Sequence, residues 1–271
     1  MERLSALLCL LIGIGIFVAA ILGPLGLSLV HFHMSRNAIV QYQGGDVVMV
    51  AIGAGLLGCC WMWWQQAARV PAITLGLSLF VIYTFVTVVL PQDYVRYPEG
   101  NVKTFMLLYF AITAGATMLS ALSINSLMGH EPLVSPHWIR GTQWVMGIQA
   151  GLFLLMWLSQ VIRAASRELP SDAADMPLLF WLIRYLDLGF VIPLTFLAVT
   201  MLRSQQPLAP ILVLAVGGFT TCMLIAIAAM SFNQWRLDQA GGSVVLTVAM
   251  LILAIPSAAV WWHWVNAYPK S

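Results

Sequence analysis

The chain has 271 residues, of which 61% are hydrophobic and only 8% are charged. Soluble domains carry about 25% charged residues, so this composition excludes a water-exposed globular surface and predicts a protein covered largely by the lipid bilayer. The formal net charge is only +2, which leaves no basic surface of the kind that nucleic acid requires. We therefore expect lipid, and no nucleic acid, as a partner.

Eight apolar runs are long enough to cross a bilayer, which takes about 20 residues in helical form. Backbone polar groups in lipid are satisfied only in helices or closed barrels, and these runs are continuous rather than alternating. The sequence therefore predicts an all-α, polytopic transmembrane helix bundle that forms a single domain over residues 1–271. The predicted spans are residues 4–23, 47–64, 71–90, 105–124, 143–161, 178–201, 211–229 and 244–265. Cleavage or interfacial placement of the first run would leave seven.

The connector formed by residues 25–45 is the longest and is semi-apolar, with His31, His33 and Arg36 in it. We expect it to lie along the membrane interface as an amphipathic segment. Asp46 then opens the second span, where a carboxylate is favoured by the helix dipole and caps free N–H groups. Alternatively, Asp46 reaches the mouth of a pocket next to the sixth span, because both helices begin on the same side of the membrane.

The sixth run contains Arg184 and Asp187, whereas nearly every other charge in the chain lies between the runs. Charged groups at bilayer depth are costly and by default mark a functional site. Their spacing of three places both residues on one helix face, close enough to pair. Pro193 follows Gly189 by four residues and cannot donate a helical hydrogen bond, which predicts a kink and an exposed carbonyl just beyond Asp187. The alternative is a structural Arg–Asp pair that locks this span to its neighbours.

Other polar or patterned positions inside the runs carry weaker signals. Gln149, Gln160, Thr220 and Thr221 either line a cavity or bond between helices. The match of residues 53–58 to G-x-G-x-x-G lies within an apolar span without a preceding strand, which favours close helix packing over nucleotide binding. The four cysteines and five histidines show no zinc-type spacing. No metal, cofactor or catalytic residue is predicted, and the absence of a lysine from the spans excludes a retinal Schiff base.

Four short segments together resemble a family of uncharacterised bacterial multi-pass integral membrane proteins. These segments are Gln43-Gly44-Gly45-Asp46-Val47-Val48, Tyr83-Thr84-Phe85, Phe105-Met106-Leu107-Leu108-Tyr109 and Tyr185-Leu186-Asp187-Leu188-Gly189-Phe190-Val191-Ile192-Pro193-Leu194. The resemblance covers about the first seven spans, and it implies a place in a bacterial inner membrane but no known activity. Similar proteins often carry a lysine in the seventh span, which this chain lacks. If that lysine pairs with the aspartate elsewhere, Arg184 replaces it here.

Two functional hypotheses follow from these features, with a third ranked below them. In the first, the protein handles a small molecule or ion, as a transporter or sensor does, in a pocket lined by Asp187, Arg184, Tyr185, Asp46, Tyr83 and Tyr109. In the second, it is a non-catalytic accessory subunit with membrane-protein partners, because no catalytic motif or soluble domain is visible. An intramembrane enzyme that uses Asp187 as acid or base ranks last, because no second carboxylate or nucleophile accompanies it.

Overall fold

The computed structural model describes residues 1–166, 169, 174–239 and 241–268. These residues contain eight helices that are long and apolar enough to cross a membrane, and no strand, which confirms the predicted all-α bundle. In chain order the helices are α1 (Glu2–Leu22), α2 (Arg36–Trp64), α3 (Val70–Val89), α4 (Met106–Leu127, preceded by a 3₁₀ turn at Val102–Phe105), α5 (Pro136–Ser166), α6 (Pro177–Arg203), α7 (Ala209–Arg236) and α8 (Val244–Asn266).

Local sequence signals set several helix starts. The Ser35 hydroxyl accepts a hydrogen bond from the Ala38 N–H at 3.3 Å, and the Ser243 hydroxyl accepts one from Leu246 at 3.2 Å. Proline lies in the first turn of α3, α6 and α7, where its missing N–H costs nothing because no helical partner exists there. Serine and proline therefore mark the points at which the chain enters the bundle.

The start of α2 corrects two predictions about residues 25–46. The helix begins at Arg36 and not near residue 47, so Asp46 lies ten residues inside it and Ser35, not Asp46, caps it. The preceding residues 23–35 contain no helix, and their predicted place along the membrane interface stays a prediction. They are bonded to the α3–α4 connector through His31 and His33, whose N–H groups donate to the side chains of Asn101 and Gln92 at 2.8 and 2.6 Å. Such long-range pairing is invisible in local hydropathy.

Successive helices alternate in direction, which defines two sides of the bundle. We call side A the side where α1 begins and side B the side where α1 ends. Hydrogen bonds at the helix ends agree with this path: Gln66 donates to Glu2 on side A, and Gln234 donates to Asn37 on side B. The α4–α5 connector also meets the end of α8 on side A, where the Leu133 N–H donates to a backbone carbonyl.

Helix α7 forms the centre of the bundle. It packs against α2, α3, α8 and the second half of α6, and 72% of its most apolar stretch is buried, against 17% for α5. Helices α1 to α4 form one side of the core, while α5 and the first half of α6 (Pro177–Leu186) lie further out. Because the first half of α6 makes few contacts apart from those with α3, space is left between it and α7.

Candidate functional site

A large cavity occupies the space between α7 and the outer helices. Its volume is about 480 Å³, and α2, α3, α5, α6, α7 and α8 all contribute to its walls. The lining residues come from the side B ends of these helices, for example Asn37 at the start of α2 and Gln234 near the end of α7. We call this cavity the vestibule. It runs from side B to Asp187, which is about 15 Å along α6 from its first residue.

The vestibule has apolar walls with polar groups at chosen positions. Aromatic and methionine side chains make up much of the wall, and they are Phe80, Phe153, Met156, Trp157, Met176, Phe180, Met223, Met230 and Met250. Hydroxyl and amide groups lie among them, on Ser35, Asn37, Gln41, Tyr42, Tyr83, Thr84, Thr87, Gln160, Ser231 and Gln234. The charged lining residues within the described chain are Arg163, Arg184 and Asp187. Few, placed polar groups on an apolar surface are typical of sites for small organic molecules.

Asp187 and Tyr83 form the deepest polar contact of the vestibule. The Tyr83 hydroxyl donates a hydrogen bond to the Asp187 carboxylate at 2.8 Å, which joins α3 to α6. The Tyr83 ring is itself held edge-on against Phe219 of α7, with 5.2 Å between the ring centroids. The predicted site residues Asp187 and Tyr83 are therefore brought together, although 104 positions separate them in sequence.

Arg184 lines the same cavity, but the predicted direct pair with Asp187 is wrong. Its guanidinium donates to Gln160 of α5 and to the Phe180 carbonyl, the latter at 3.2 Å, and it stacks on the rings of Trp157 and Phe180 at 4.4 and 3.9 Å. Within the described residues, the ion pair found at 4.0 Å or less is Arg96–Asp175. The Arg184 side chain therefore bonds to α5, whereas the Asp187 side chain bonds to α3.

The backbone of α6 is irregular from Asp187 onward, in the region where the sequence predicted a kink. Residues Asp187–Val191 form a π-helical turn, in which the Ile192 N–H bonds to the Asp187 carbonyl five residues earlier. Pro193 has no N–H to offer the carbonyls that precede it, which explains why the regular ladder fails here. Single π turns within α-helices occur frequently at functional sites, and this one begins at the residue that ends the vestibule.

A smaller chamber continues from the vestibule toward side A. It has a volume of about 50 Å³ and shares five wall residues with the vestibule, which are Phe153, Trp157, Asp187, Met223 and Ile227. Its polar wall groups are Gln149, Thr195, Thr220 and Ser257, all nearer to side A than Asp187. Asp187 therefore lies at the junction of two compartments. The sequence singled out Gln149, Gln160 and Thr220, which line these compartments, but Trp157 and Ser257 carried no signal in an apolar span.

Helices α3, α7 and α8 meet at a close contact in the side A half of the bundle. A Cβ added to Gly218 of α7 would lie 2.7 Å from the Gly76 Cα of α3 and 2.7 Å from Cε2 of Trp261 on α8. Only glycine allows two backbones to approach so closely. The three helices are therefore in direct contact within the side A half of the bundle, at the level of the chamber residue Gly217.

Three other predicted site residues do not line the vestibule or the chamber. Tyr185 is 67% exposed on the outer surface and packs edge-on against Phe190. Tyr109 is buried to 2% exposure between helices, and Asp46 is half-buried on α2, close enough to Tyr109 for electrostatic interaction. The pocket therefore gathers Asp187, Arg184 and Tyr83 but leaves these three outside. Tyr185 faces outward, Tyr109 lies on α4, which does not border the cavity, and Asp46 lies one helical turn beyond Tyr42, the last wall residue of α2.

The chemistry available at the site is that of one carboxylate, one tyrosine and a fixed guanidinium. Among the described residues, no group of three His, Cys, Asp or Glu side chains is arranged to hold a metal ion. Such a site can bind a small molecule, a proton or an ion through Asp187. Comparisons with known proteins add nothing to this list, because no protein-family model, no curated protein and no solved structure matches the chain.

Proposed function

We propose that the protein is a transporter-like or sensor-like protein of the cell membrane that binds a small molecule in the vestibule. The observation that carries this proposal is the cavity of about 480 Å³ that reaches from side B to a hydrogen-bonded carboxylate inside the bundle. Sites for small organic ligands usually have volumes of about 300–1,000 Å³, so the vestibule can enclose such a ligand.

The composition of the walls supports an amphipathic ligand. Aromatic rings and methionine side chains offer an adaptable apolar surface, while amides and hydroxyls at the rim offer hydrogen bonds. Asp187 and Tyr83 at the base would fix one polar end of the ligand, since polar groups buried among apolar walls give orientation and specificity. The eight apolar helices support a position of this site within a membrane, and we propose a bacterial inner membrane as its location.

Helix α6 is the element that we expect to move. The segment just before it is held at side B, where Arg96 donates to the Ala174 carbonyl at 2.9 Å, and the π turn of α6 separates its first half from Ile192–Arg203. Many transporters bind their substrate next to such broken helices. A ligand that joins Asp187 to α7 would favour closure of the first half of α6 over the vestibule.

The first test asks whether the vestibule is open to water from one side. Cys9, Cys59, Cys60 and Cys222 would be replaced, and Thr84 in the vestibule wall would be changed to Cys. A membrane-impermeant maleimide should label Thr84→Cys in sealed vesicles from one side only. Val81→Cys on the same helix is the matched control, because Val81 has no exposed surface. Equal labelling of both positions, or labelling of neither, would contradict an open vestibule.

A second test uses the same reporter to find and verify ligands. Small molecules from an amphipathic library would be screened for protection of Thr84→Cys from the maleimide. Protection should be lost in Asp187→Asn and Tyr83→Phe while these variants still insert and fold, and it should persist in Asp46→Asn, whose carboxylate is outside the cavity. Retention of ligand binding in Asp187→Asn would contradict the proposal. If no compound protects and the protein is extracted by mild detergent only with another protein, an accessory subunit is the better explanation.

A further inference from the structure

We propose that Asp187 and the small chamber beyond it form a proton-binding site that is coupled to the vestibule. This inference rests on the proposed function, and it names the ion that the carboxylate exchanges. The starting point is position: Asp187 belongs to the walls of both compartments. Its carboxylate can therefore meet water from side B through the vestibule and water held in the chamber toward side A.

The chamber is suited to hold water rather than to stay dry. One water molecule needs polar partners and about 10–15 Å³ of space open to its centre. The chamber has about 50 Å³ of such space. Gln149 is only 5% exposed, and its Nε2 donates to the Leu253 carbonyl at 2.8 Å. Its Oε1 makes no hydrogen bond to the described residues, so this acceptor is available to water in the chamber.

Two hydroxyl groups complete the polar wall of the chamber. The Thr220 hydroxyl has no hydrogen-bond partner among the described residues. The Thr221 hydroxyl donates to the Gly217 carbonyl at 2.7 Å, so in the 3.1 Å contact between Thr221 and Ser257 the Ser257 hydroxyl is the donor, and its oxygen is left to accept from water. Water placed between these groups and Asp187 would be bonded at both ends. Such a cluster can accept a proton from the carboxylic acid or return it, with Gln149, Thr220 and Ser257 as positioning residues.

The surroundings favour a proton over a metal cation. Asp187 is the one acidic residue that lines either compartment within the described chain, whereas a bound divalent cation usually needs several oxygen ligands with more negative charge. The titratable or charged groups that face Asp187 are Tyr83 from α3 and Arg184 from α6, with Tyr42 and Arg163 further out in the vestibule. Helices α7 and α8 contribute no charged lining residue there.

Protonation would change the contacts at the base of the vestibule. The ionised carboxylate accepts a hydrogen bond from Tyr83, and charged acceptors make stronger hydrogen bonds than neutral ones. A proton on Asp187 weakens that bond and adds a donor that can reach the chamber water. Because Tyr83 joins α3 to the π turn of α6, the proton would alter how firmly the first half of α6 is held. Vestibule access and proton binding are then linked.

The test follows Thr84→Cys labelling in the cysteine-free protein as a function of pH, with no ligand needed. The labelling rate is divided by the rate for the same reporter carrying Asp187→Asn, a substitution that mimics the protonated acid. This division cancels the pH dependence of the thiol itself. We expect a ratio near one at low pH and a several-fold difference at high pH, with the transition shifted in Gln149→Leu and Thr220→Val. Asp46→Asn should behave as the wild-type reporter.

Infrared spectroscopy gives the direct readout. Because the chain has ten acidic side chains, the readout is the difference between the wild type and Asp187→Asn. One component of the protonated-carboxyl band should be lost in Asp187→Asn, and that component should change frequency in Gln149→Leu. A ratio that stays constant across pH, with an unchanged carboxyl band in Asp187→Asn, would overturn the inference while leaving a labelled vestibule intact. Failure of the proposed function is different, because Thr84→Cys would then not be labelled at any pH. A response to Na⁺ in place of choline at fixed pH would overturn the proton assignment in favour of a sodium site.

Discussion

The close contact of α3, α7 and α8 on side A makes a sharp prediction about two neighbouring glycines of α7. A Cβ at Gly218 would lie 2.7 Å from the Gly76 Cα, 2.7 Å from Cε2 of Trp261 and 2.8 Å from its Nε1. A Cβ at Gly217 would instead meet Trp261 at 3.7 Å, which is an ordinary contact distance. Gly218→Ala should therefore be destabilising, whereas Gly217→Ala should be tolerated.

The magnitude follows from the geometry. Overpacking in a core costs about 1–3 kcal/mol, and Gly218→Ala belongs near the upper end because one of the atoms it meets is backbone. Replacing a glycine within a helix by alanine stabilises the helix by about 1 kcal/mol, which offsets part of this cost. We expect Gly218→Ala to lower the free energy of unfolding by about 2 kcal/mol and Gly217→Ala to leave it unchanged or raise it by up to about 1 kcal/mol.

The measurement is unfolding of the purified protein in mild detergent as SDS is added, followed by pulse proteolysis. The two variants have the same composition and differ only in which of two neighbouring α7 positions carries the alanine. A difference in their unfolding midpoints therefore reports the local contact with Gly76 and Trp261. Gly76→Ala should resemble Gly218→Ala, because its Cβ would lie 2.7 Å from the Gly218 Cα. Equal unfolding midpoints for the Gly217 and Gly218 variants would refute the argument that the close approach of α3 and α7 requires glycine at position 218.

Two further predictions concern hydrogen bonds between helices. Tyr83→Phe removes the hydrogen bond to Asp187 and should lower the free energy of unfolding by about 1.5 kcal/mol. This is the low end for a bond to a charged group, because water in the vestibule can replace the phenol. Tyr109 is the control, since its hydroxyl bonds to no described residue, and Tyr109→Phe should change the free energy of unfolding by less than about 0.5 kcal/mol. Ser78→Ala breaks the 2.7 Å bond to Ser120 that joins α3 to α4 and should cost about 0.6 kcal/mol, the average for such bonds in membrane helices. The same unfolding assay measures both, and a Tyr109 effect as large as the Tyr83 effect, or a Ser78→Ala cost above about 2 kcal/mol, would contradict this assignment.

Part of the candidate site could be predicted from sequence because membrane helices impose strong local rules. Asp187 and Arg184 stood out since charge at bilayer depth is expensive, and Pro193 indicated the irregular turn that α6 adopts. Gln149 and Thr220 were recognised as polar groups in apolar runs, and both line the chamber. These signals need no knowledge of which helices are neighbours.

Other parts of the site depend on helix rotation, which hydropathy does not encode. Tyr185 lies next to Arg184 in sequence, yet it faces outward because adjacent residues on a helix point in directions about 100° apart. Trp157 looks like any aromatic residue in an apolar run until α5 is placed opposite α6. Asp46 looked like a helix cap because the preceding residues are polar enough to suggest a loop, but packing against α7 extends α2 back to Arg36.

The sequence by itself determined that the chain forms a multi-span bundle, because continuous apolar runs in lipid leave helices as the way to satisfy their backbone groups. It also determined that the sixth span carries buried charge and a broken backbone. Only the tertiary structure decided that Tyr83, and not Arg184, holds Asp187, and that a cavity opens toward side B. The physical reason is that these features arise from the rotation and separation of helices distant in sequence, and lipid-facing and cavity-facing apolar surfaces have the same composition.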